Sequence, residues 1–252
     1  MKGNPFRGFG YLIRGFGLLT EPGLRSFVIV PLAINLVLFT LAIYLLMQQF
    51  SVLVEYCLSL MPDWLSFLDW FMWPVFAILV LISVYFSFSI VANFIAAPFN
   101  GLLAERVEQR LRGEILVDDG WKALLASVPR ALHREMSKLL YQLPRFLILL
   151  LITLIPVIGF IAPALWFLFG AWMMAIQYCD YPMDNNRVSF SDLRSNLKTR
   201  RLSSLGFGGL VSLGMVIPVL NLLIMPAAVI GATIFWVEEF APESSAQIIE
   251  QT

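Results

Sequence analysis

Charge is what this chain has least of. Only 13% of its 252 residues are Asp, Glu, Lys or Arg, while 59% are hydrophobic; a soluble domain carries about 25% charged residues. Mean hydropathy is +0.81. Cysteine and histidine are equally scarce. Two cysteines exclude a disulfide-built scaffold, and Cys57 and Cys179, each in an apolar neighbourhood, read as small buried hydrophobes. The one histidine, His133, sits among Arg130, Arg134 and Glu135. Without partners it makes no metal site, and it reads as a surface or interfacial residue. No glycine run ends in Gly-Lys-Ser/Thr, so a nucleotide phosphate loop is missing. Gly206-Phe207-Gly208-Gly209 has no strand before it and no basic residue after it, which suits close helix packing instead. With no nucleophile–base set, the chain reads as no enzyme, with no cofactor and no metal. Seventeen basic residues balance seventeen acidic ones, so nothing marks a nucleic-acid partner. Nor does a small-residue cleavage site follow the basic start, as a signal peptide would require.

What is present is apolar sequence in long pieces. Residues 26–54, 70–104, 146–179 and 202–237 contain no charge at all, and all 34 charges fall in the other 118 positions. A helix needs about 20 apolar residues to cross a hydrocarbon core about 30 Å thick. The chain therefore reads as a single all-helical integral membrane domain spanning 1–252, with the lipid bilayer as its solvent. Segment 26–54 is the first span. Segment 70–104 is the second, and at about 1.5 Å per residue it is too long to stand straight in the membrane, with Pro98 as the expected bend. The loop between them has acidic residues and the interfacial turn Pro62-Asp63-Trp64.

The last two apolar blocks resemble each other. Ile155-Pro156-Val157-Ile158 precedes Pro163-Ala164, and sixty-two positions later Ile217-Pro218-Val219-Leu220 precedes Pro226-Ala227. Internal prolines break helices, and splitting each block there leaves arms of about 10–16 residues, short for a span. Blocks 146–179 and 202–237 thus read as two re-entrant, partly inserted helical hairpins. Lysine and arginine number 4 in residues 1–25, 8 in 105–145 and 5 in 180–201, and the 48–69 loop has none. Two spans and two returning hairpins put every basic region on one face, so both termini, the acidic tail 238–252 included, are expected in the cytoplasm.

The polar stretches carry the candidate sites. In the N-terminal segment 1–25, Arg7-Gly8-Phe9-Gly10 recurs as Arg14-Gly15-Phe16-Gly17. A seven-residue offset aligns like residues on one helix face; the segment is either an interfacial helix or a glycine-loosened arm. In 105–145, Leu132, Met136, Leu139, Leu140 and Leu143 form an apolar stripe opposite Arg130, Arg134 and Lys138. That pattern predicts an amphipathic helix laid on membrane or neighbour with a solvated basic face. Thr20-Glu21-Pro22-Gly23-Leu24-Arg25-Ser26 opens the first span. Its free first-turn amides, with Arg25 and the Ser26 hydroxyl, form either an oxyanion cradle or an ordinary helix start with a snorkelling arginine. Asn93 is a polar group deep in the second span, where such residues pack helices or line pathways. Below it Asn100, Glu105, Arg106 and Arg110 ring an entrance or form helix-surface ion pairs.

These motifs together resemble the CysZ-type sulfate permease family of bacterial inner membranes. The basic glycine-rich start, Pro22-Gly23-Leu24-Arg25 running into Phe27 and Pro31, the Arg134-Glu135 to Lys138-Leu139 segment and the paired Ile-Pro-Val hairpins carry the likeness. Ala96-Ala97-Pro98-Phe99-Asn100-Gly101-Leu102-Leu103-Ala104-Glu105 is its most specific piece. The resemblance implies sulfate uptake feeding cysteine synthesis in a homo-oligomer; with no nucleotide motif in the sequence, transport is expected to be channel-like or ion-coupled rather than ATP-driven. The resemblance also implies sulfate binding at Gly23, Leu24 and Arg25, with Ser26 where some relatives carry a second arginine. Glu105, Arg106 and Arg110 match polar positions expected near the inner entrance. The competing reading is a scaffolding membrane protein that shapes the bilayer or docks partners without moving an anion.

Overall fold

The computed structural model describes residues 3–21, 23–60, 69–114, 120–155 and 160–241. Pro22, the Pro62-Asp63-Trp64 turn, Pro156-Val157-Ile158 and the acidic tail beyond Ala241 lie outside them. Eight helices follow in order among the described residues: α1 (Pro5–Leu18), α2 (Arg25–Ser59), α3 (Asp69–Arg112), α4 (Gly120–Thr153), α5 (Ala162–Asn185), α6 (Phe190–Thr199), α7 (Arg201–Met215) and α8 (Pro218–Glu239). No strand occurs among them. Contacts divide the chain into two units, one made of Val30–Ala96 and the other of Met1–Ile29 with Ala97–Thr252.

The first unit holds most of α2 and the first part of α3. Leu36, Val37, Tyr44 and Leu45 on α2, and Ile78, Leu79 and Leu81 on α3, are exposed. Polar side chains here find partners within the helix: Thr40 Oγ1 donates to the Leu36 carbonyl at 2.8 Å and Gln48 Nε2 to the Tyr44 hydroxyl at 2.7 Å. Apolar surface outward, with polar side chains bonded within their own helix, is what hydrocarbon surroundings demand. α3 runs on through Pro98 as one 44-residue helix, without the interruption a proline invites.

The second unit is a packed bundle. α1 lies against α7 and α8, α5 lies against the same pair, and α4 and α6 pack on α5. Its core includes Leu12, Tyr178, Phe207, Ile230 and Phe235, and the Tyr11 ring stacks on Phe235 at 4.8 Å. The repeated glycines explain how α1 comes so close. A Cβ on Gly8 would collide with the Ser203 carbonyl of α7, and one on Gly15 with the Ala227 carbonyl of α8. Gly206 meets the Pro5 backbone, and Gly208 meets Ala171 of α5, in the same way. Small residues let helix backbones approach where lipid offers no hydrophobic drive. The N-terminal repeat is thus a helix seated on its neighbours, not a loose arm. Asn4 starts it by accepting from the Phe6 amide at 2.9 Å, and Pro5 supplies a preset first position.

Glu239 at the end of α8 clasps this helix. It accepts from the Tyr11 hydroxyl at 3.0 Å and pairs with Arg7 at 3.4 Å and Arg200 at 2.9 Å. Arg14 pairs with Glu238 at 2.7 Å. Burial, then the hydrogen bond to Glu239, pushes the Tyr11 phenol up from its ordinary value. A raised value in the folded state means that this contribution is intact through the neutral range. It is lost progressively as alkaline pH climbs from the ordinary tyrosine value through the raised one.

Helices end near both Ile-Pro-Val sites, of which Pro156 and Val157 lie outside the described residues. α4 ends at Thr153 before α5 begins at Ala162, and α7 ends at Met215 before α8 begins at Pro218. The arms differ from the short ones expected. α4 runs unbroken through Pro129 and Pro144, and α5 continues past Cys179 to Asn185. Among the described residues, Leu125–Thr153 and Ala162–Asn185 are long and apolar enough to cross a membrane. The 15-residue α7 reaches only about 22 Å at 1.5 Å per residue, short of a full crossing.

The glycine seam generates a paired expectation. Gly15→Ala destabilises the protein in detergent by about 1–3 kcal/mol, because the α8 backbone cannot yield as a side chain would. Gly17→Ala, whose Cβ meets nothing within 4 Å, raises stability by about 0.5–1 kcal/mol through the helix propensity of alanine. Thermal unfolding of the two variants beside the parent checks the opposite signs.

Candidate functional site

The basic stripe on α4 faces the carboxylates of α5. Arg130, Arg134 and Lys138 recur every four residues on α4, and Asp184 and Asp180 recur at the same interval on α5. The helices pair them in opposite order. Arg130 Nε lies 3.1 Å from Asp184 Oδ2, and Arg134 Nε lies 2.7 Å from Asp180 Oδ1. Lys138 Nζ reaches Asp180 Oδ2 at 3.4 Å and Glu135 Oε1 at 2.6 Å. Burial deepens along the row: the side chains of Asp180 and Lys138 keep 1% and 5% of their exposure, whereas Arg130 at the other end keeps 35%. The expected solvated face is instead turned inward, while Leu132, Met136, Leu139, Leu140 and Leu143 point outward. The helix is amphipathic with its polarity inverted, because carboxylates inside the bundle attract the cations more strongly than an apolar exterior does.

Hydrogen bonds carry the ladder across to α3. Tyr181 donates its hydroxyl to Glu135 Oε1 at 3.2 Å and accepts from Gln177 Nε2 at 3.0 Å and Asn100 Nδ2 at 3.3 Å. Asn185 Nδ2 donates to the Gly101 carbonyl at 2.7 Å. Two of the residues in the Ala96–Glu105 block thus dock α3 on α5. Nearby, Glu108 accepts from Arg112 Nη2 at 2.7 Å, Asn186 Nδ2 at 2.8 Å and Trp236 Nε1 at 3.2 Å. The Lys138 ammonium lies 4.6 Å from the Tyr181 ring centroid, adding a cation–π contact.

These helices enclose a cavity of about 640 Å³, lined by Glu105, Glu108, Gln109, Arg112, Arg130, Arg134, Glu135, Lys138, Asp180 and Asp184 among others. Arg112 Nε and Gln109 Oε1 are buried on its wall with no partner among the described residues. Cations and carboxylates are interleaved, so the cavity is polar without being strongly electropositive. It can hold water and small hydrophilic solutes; its cations are mostly already answered by carboxylates.

The opposite situation holds at the turn between α1 and α2. Leu24 is buried and anchors it, while Gly23, Arg25 and Ser26 are exposed. Gly23 has φ of +92°, the left-handed region that glycine enters without strain. Arg25 is the first residue of α2, and its Nε donates to the Thr20 carbonyl at 2.7 Å, fixing the guanidinium against its own turn. Among the described residues no carboxylate pairs with it. Glu21 in the same turn forms an ion pair with Arg110 of α3. Two stretches chosen separately in the sequence therefore meet. Glu105 lines the cavity, Arg106 is half-buried outside its lining, and Asn100 is committed to Tyr181. Asn93 is in α3, in the other unit, and its side chain lies outside the described residues.

Sequence reasoning noticed Arg130, Arg134 and Lys138 but missed their partners Glu135, Asp180, Asp184 and Tyr181. The available signal was the matching four-residue spacing on two helices joined by a hairpin. His133 is exposed and Cys179 is buried, as their surroundings in the sequence imply.

Comparison with known proteins gives one consistent answer. The family described as sulfate transporter CysZ/etoposide-induced protein 2.4 matches residues 11–226. A sulfate transporter CysZ of Pseudomonas aeruginosa (strain LESB58) is 50% identical over 233 residues, covering 91% of this chain and 94% of that protein. One from Pseudomonas syringae pv. tomato is 52% identical over 230 residues, covering 91% of each. One from Vibrio parahaemolyticus is 48% identical over 234 residues, covering 92% of this chain and 95% of its own length.

The ladder makes a stability prediction. Lys138→Met leaves Glu135 and Asp180 buried with too little positive charge, and costs about 3–5 kcal/mol in detergent unfolding. Arg145→Met, at an exposed position on the same helix, changes stability by less than about 1 kcal/mol.

Proposed function

The chain belongs to the sulfate transporter CysZ/etoposide-induced protein 2.4 family, and from that premise we propose that it carries sulfate across a bacterial inner membrane into the cytoplasm, where it supplies cysteine synthesis. The observation that carries this reading is about 50% identity over nine tenths of the chain to proteins named sulfate transporters. Sulfate is first captured at Gly23–Ser26. The left-handed glycine opens the turn, the first amides of α2 point out along the helix axis, and Arg25 presents a cation that no described carboxylate neutralises. A buried site would have to strip the dianion of water at great cost, whereas an exposed turn binds it partly hydrated. From there Arg110, Arg106 and Glu105 mark the way toward the polar interior. No nucleotide-binding motif is present in the sequence, so flux follows the sulfate gradient or a coupled ion.

The two broken blocks support a topology in which each hairpin returns to the face it left. That arrangement keeps all seventeen basic residues on the cytoplasmic side, as the positive-inside bias favours. The apolar outer surface of α4 faces lipid or a second copy of the chain in a homo-oligomer. A wet path for a dianion requires more polar wall than one protomer's spans provide.

Labelled sulfate uptake into liposomes holding the purified protein tests the function. The parent transports sulfate above protein-free liposomes, and Arg25→Ala raises the half-saturating concentration about tenfold or more, the loss of a charge-assisted contact. No flux from the parent would overturn transport, and an unchanged variant would remove Arg25 from capture. In the same vesicles, single cysteines placed at Gln49 and Thr199 react with an impermeant thiol reagent from opposite sides; labelling from one side would overturn the topology.

A further inference from the structure

We infer that Glu21 is a built-in competitor for the anion: its carboxylate occupies Arg110 until sulfate arriving at Arg25 displaces it, and Arg110 then becomes the anion's second cation. The inference rests on the reading of Arg25 as the capture residue and adds to it a device that favours dianions. Glu21 and Arg25 belong to one short turn, closed by the Leu24 amide donating to the Glu21 carbonyl at 3.2 Å and by Arg25 Nε donating to the Thr20 carbonyl at 2.7 Å. Glu21 pairs across to Arg110 of α3. The two side chains keep 32% and 43% of their exposure, so solute reaches both.

A guanidinium accepts a carboxylate and a sulfate by the same geometry, two parallel N–H donors to two oxygens. Glu21 is therefore a chemical stand-in for the oxyanion, already seated. An ion pair this exposed is worth at most about 1 kcal/mol, weak enough to exchange at modest ligand concentration. Exchange favours a dianion. Sulfate spreads two charges over a tetrahedron and engages Arg25 and Arg110 together, whereas chloride gains only a single charge's attraction and does not repay the displacement of Glu21. With Glu21 in place the turn is close to neutral overall; once Glu21 is displaced, two arginines face one ligand.

The test is equilibrium binding of labelled sulfate to the full-length protein in detergent. Glu21→Gln keeps the side-chain shape and removes the competitor; it tightens sulfate binding about three- to fivefold and weakens the preference over chloride. Arg110→Gln loosens binding, and the double variant Glu21→Gln/Arg110→Gln binds better than Arg110→Gln alone, because the unpaired Glu21 no longer repels the anion. Unchanged or weaker binding in folded Glu21→Gln would overturn the competitor role, as would identical affinities for Arg110→Gln and the double variant. Should Glu21→Gln not fold, Arg110→Gln carries the test alone, since parent-like affinity in that variant would also overturn the role. Failure of the underlying reading looks different: parent and Arg25→Ala would then bind sulfate alike.

Discussion

The antiparallel charge ladder between α4 and α5 is the constraint on which the bundle depends. A chain with so few charges places three cations and three carboxylates, Arg130, Arg134, Lys138, Glu135, Asp180 and Asp184, in one row whose inner members, Glu135, Lys138 and Asp180, are buried. Such a row adds little net stability compared with apolar packing, but it makes every alternative register of the two helices costly. A shift of α4 along α5 would part Arg130 from Asp184 and Arg134 from Asp180. The outward leucines of α4 follow from this: once the polar face is held inside, the apolar face has only the exterior left.

A second, uncharged device fixes the other side of the bundle. Gly8 and Gly15 let α1 press against α7 and α8, and Glu239 then gathers Arg7, Tyr11 and Arg200 at the helix end. α1 leads directly into the Gly23 turn, so its rigidity is transmitted to Arg25 over a few residues. The bundle thus divides its cations by function. Those on α4 are matched to carboxylates and hold the structure, whereas Arg25 stays exposed at a helix tip.

Much of the architecture is legible in the sequence, and the gaps have physical causes. Charge-free runs announce the long helices, the heptad-spaced glycines announce a helix face, and Ile217-Pro218-Val219 marks the break between α7 and α8. α4 and α5 are longer than the arms the sequence suggests, because both continue into the charged flanks, through Pro144 and through Pro182, rather than stopping with the apolar block. The orientation of α4 was not legible from its own periodicity. An amphipathic pattern defines two faces without saying which one is inside, and a lipid-facing protein reverses the usual answer. Only Asp180 and Asp184, on another helix, decide it. Arg25 and Arg110 were each visible as candidates, but the link between them runs through Glu21, whose side chain carried no signal beyond a single acidic residue in a basic segment.

Cations paired with carboxylates hold α4 on α5, whereas Arg25 has no carboxylate partner among the described residues and is the proposed receiver of the anion. The most direct measurement is an experimental density map of the protein equilibrated with sulfate. Tetrahedral density is expected against the Arg25 guanidinium, with Arg134–Asp180 and Lys138–Glu135 still joined. Sulfate seated between Arg134 and Lys138, with those ion pairs opened and the Gly23 turn empty, would contradict that assignment.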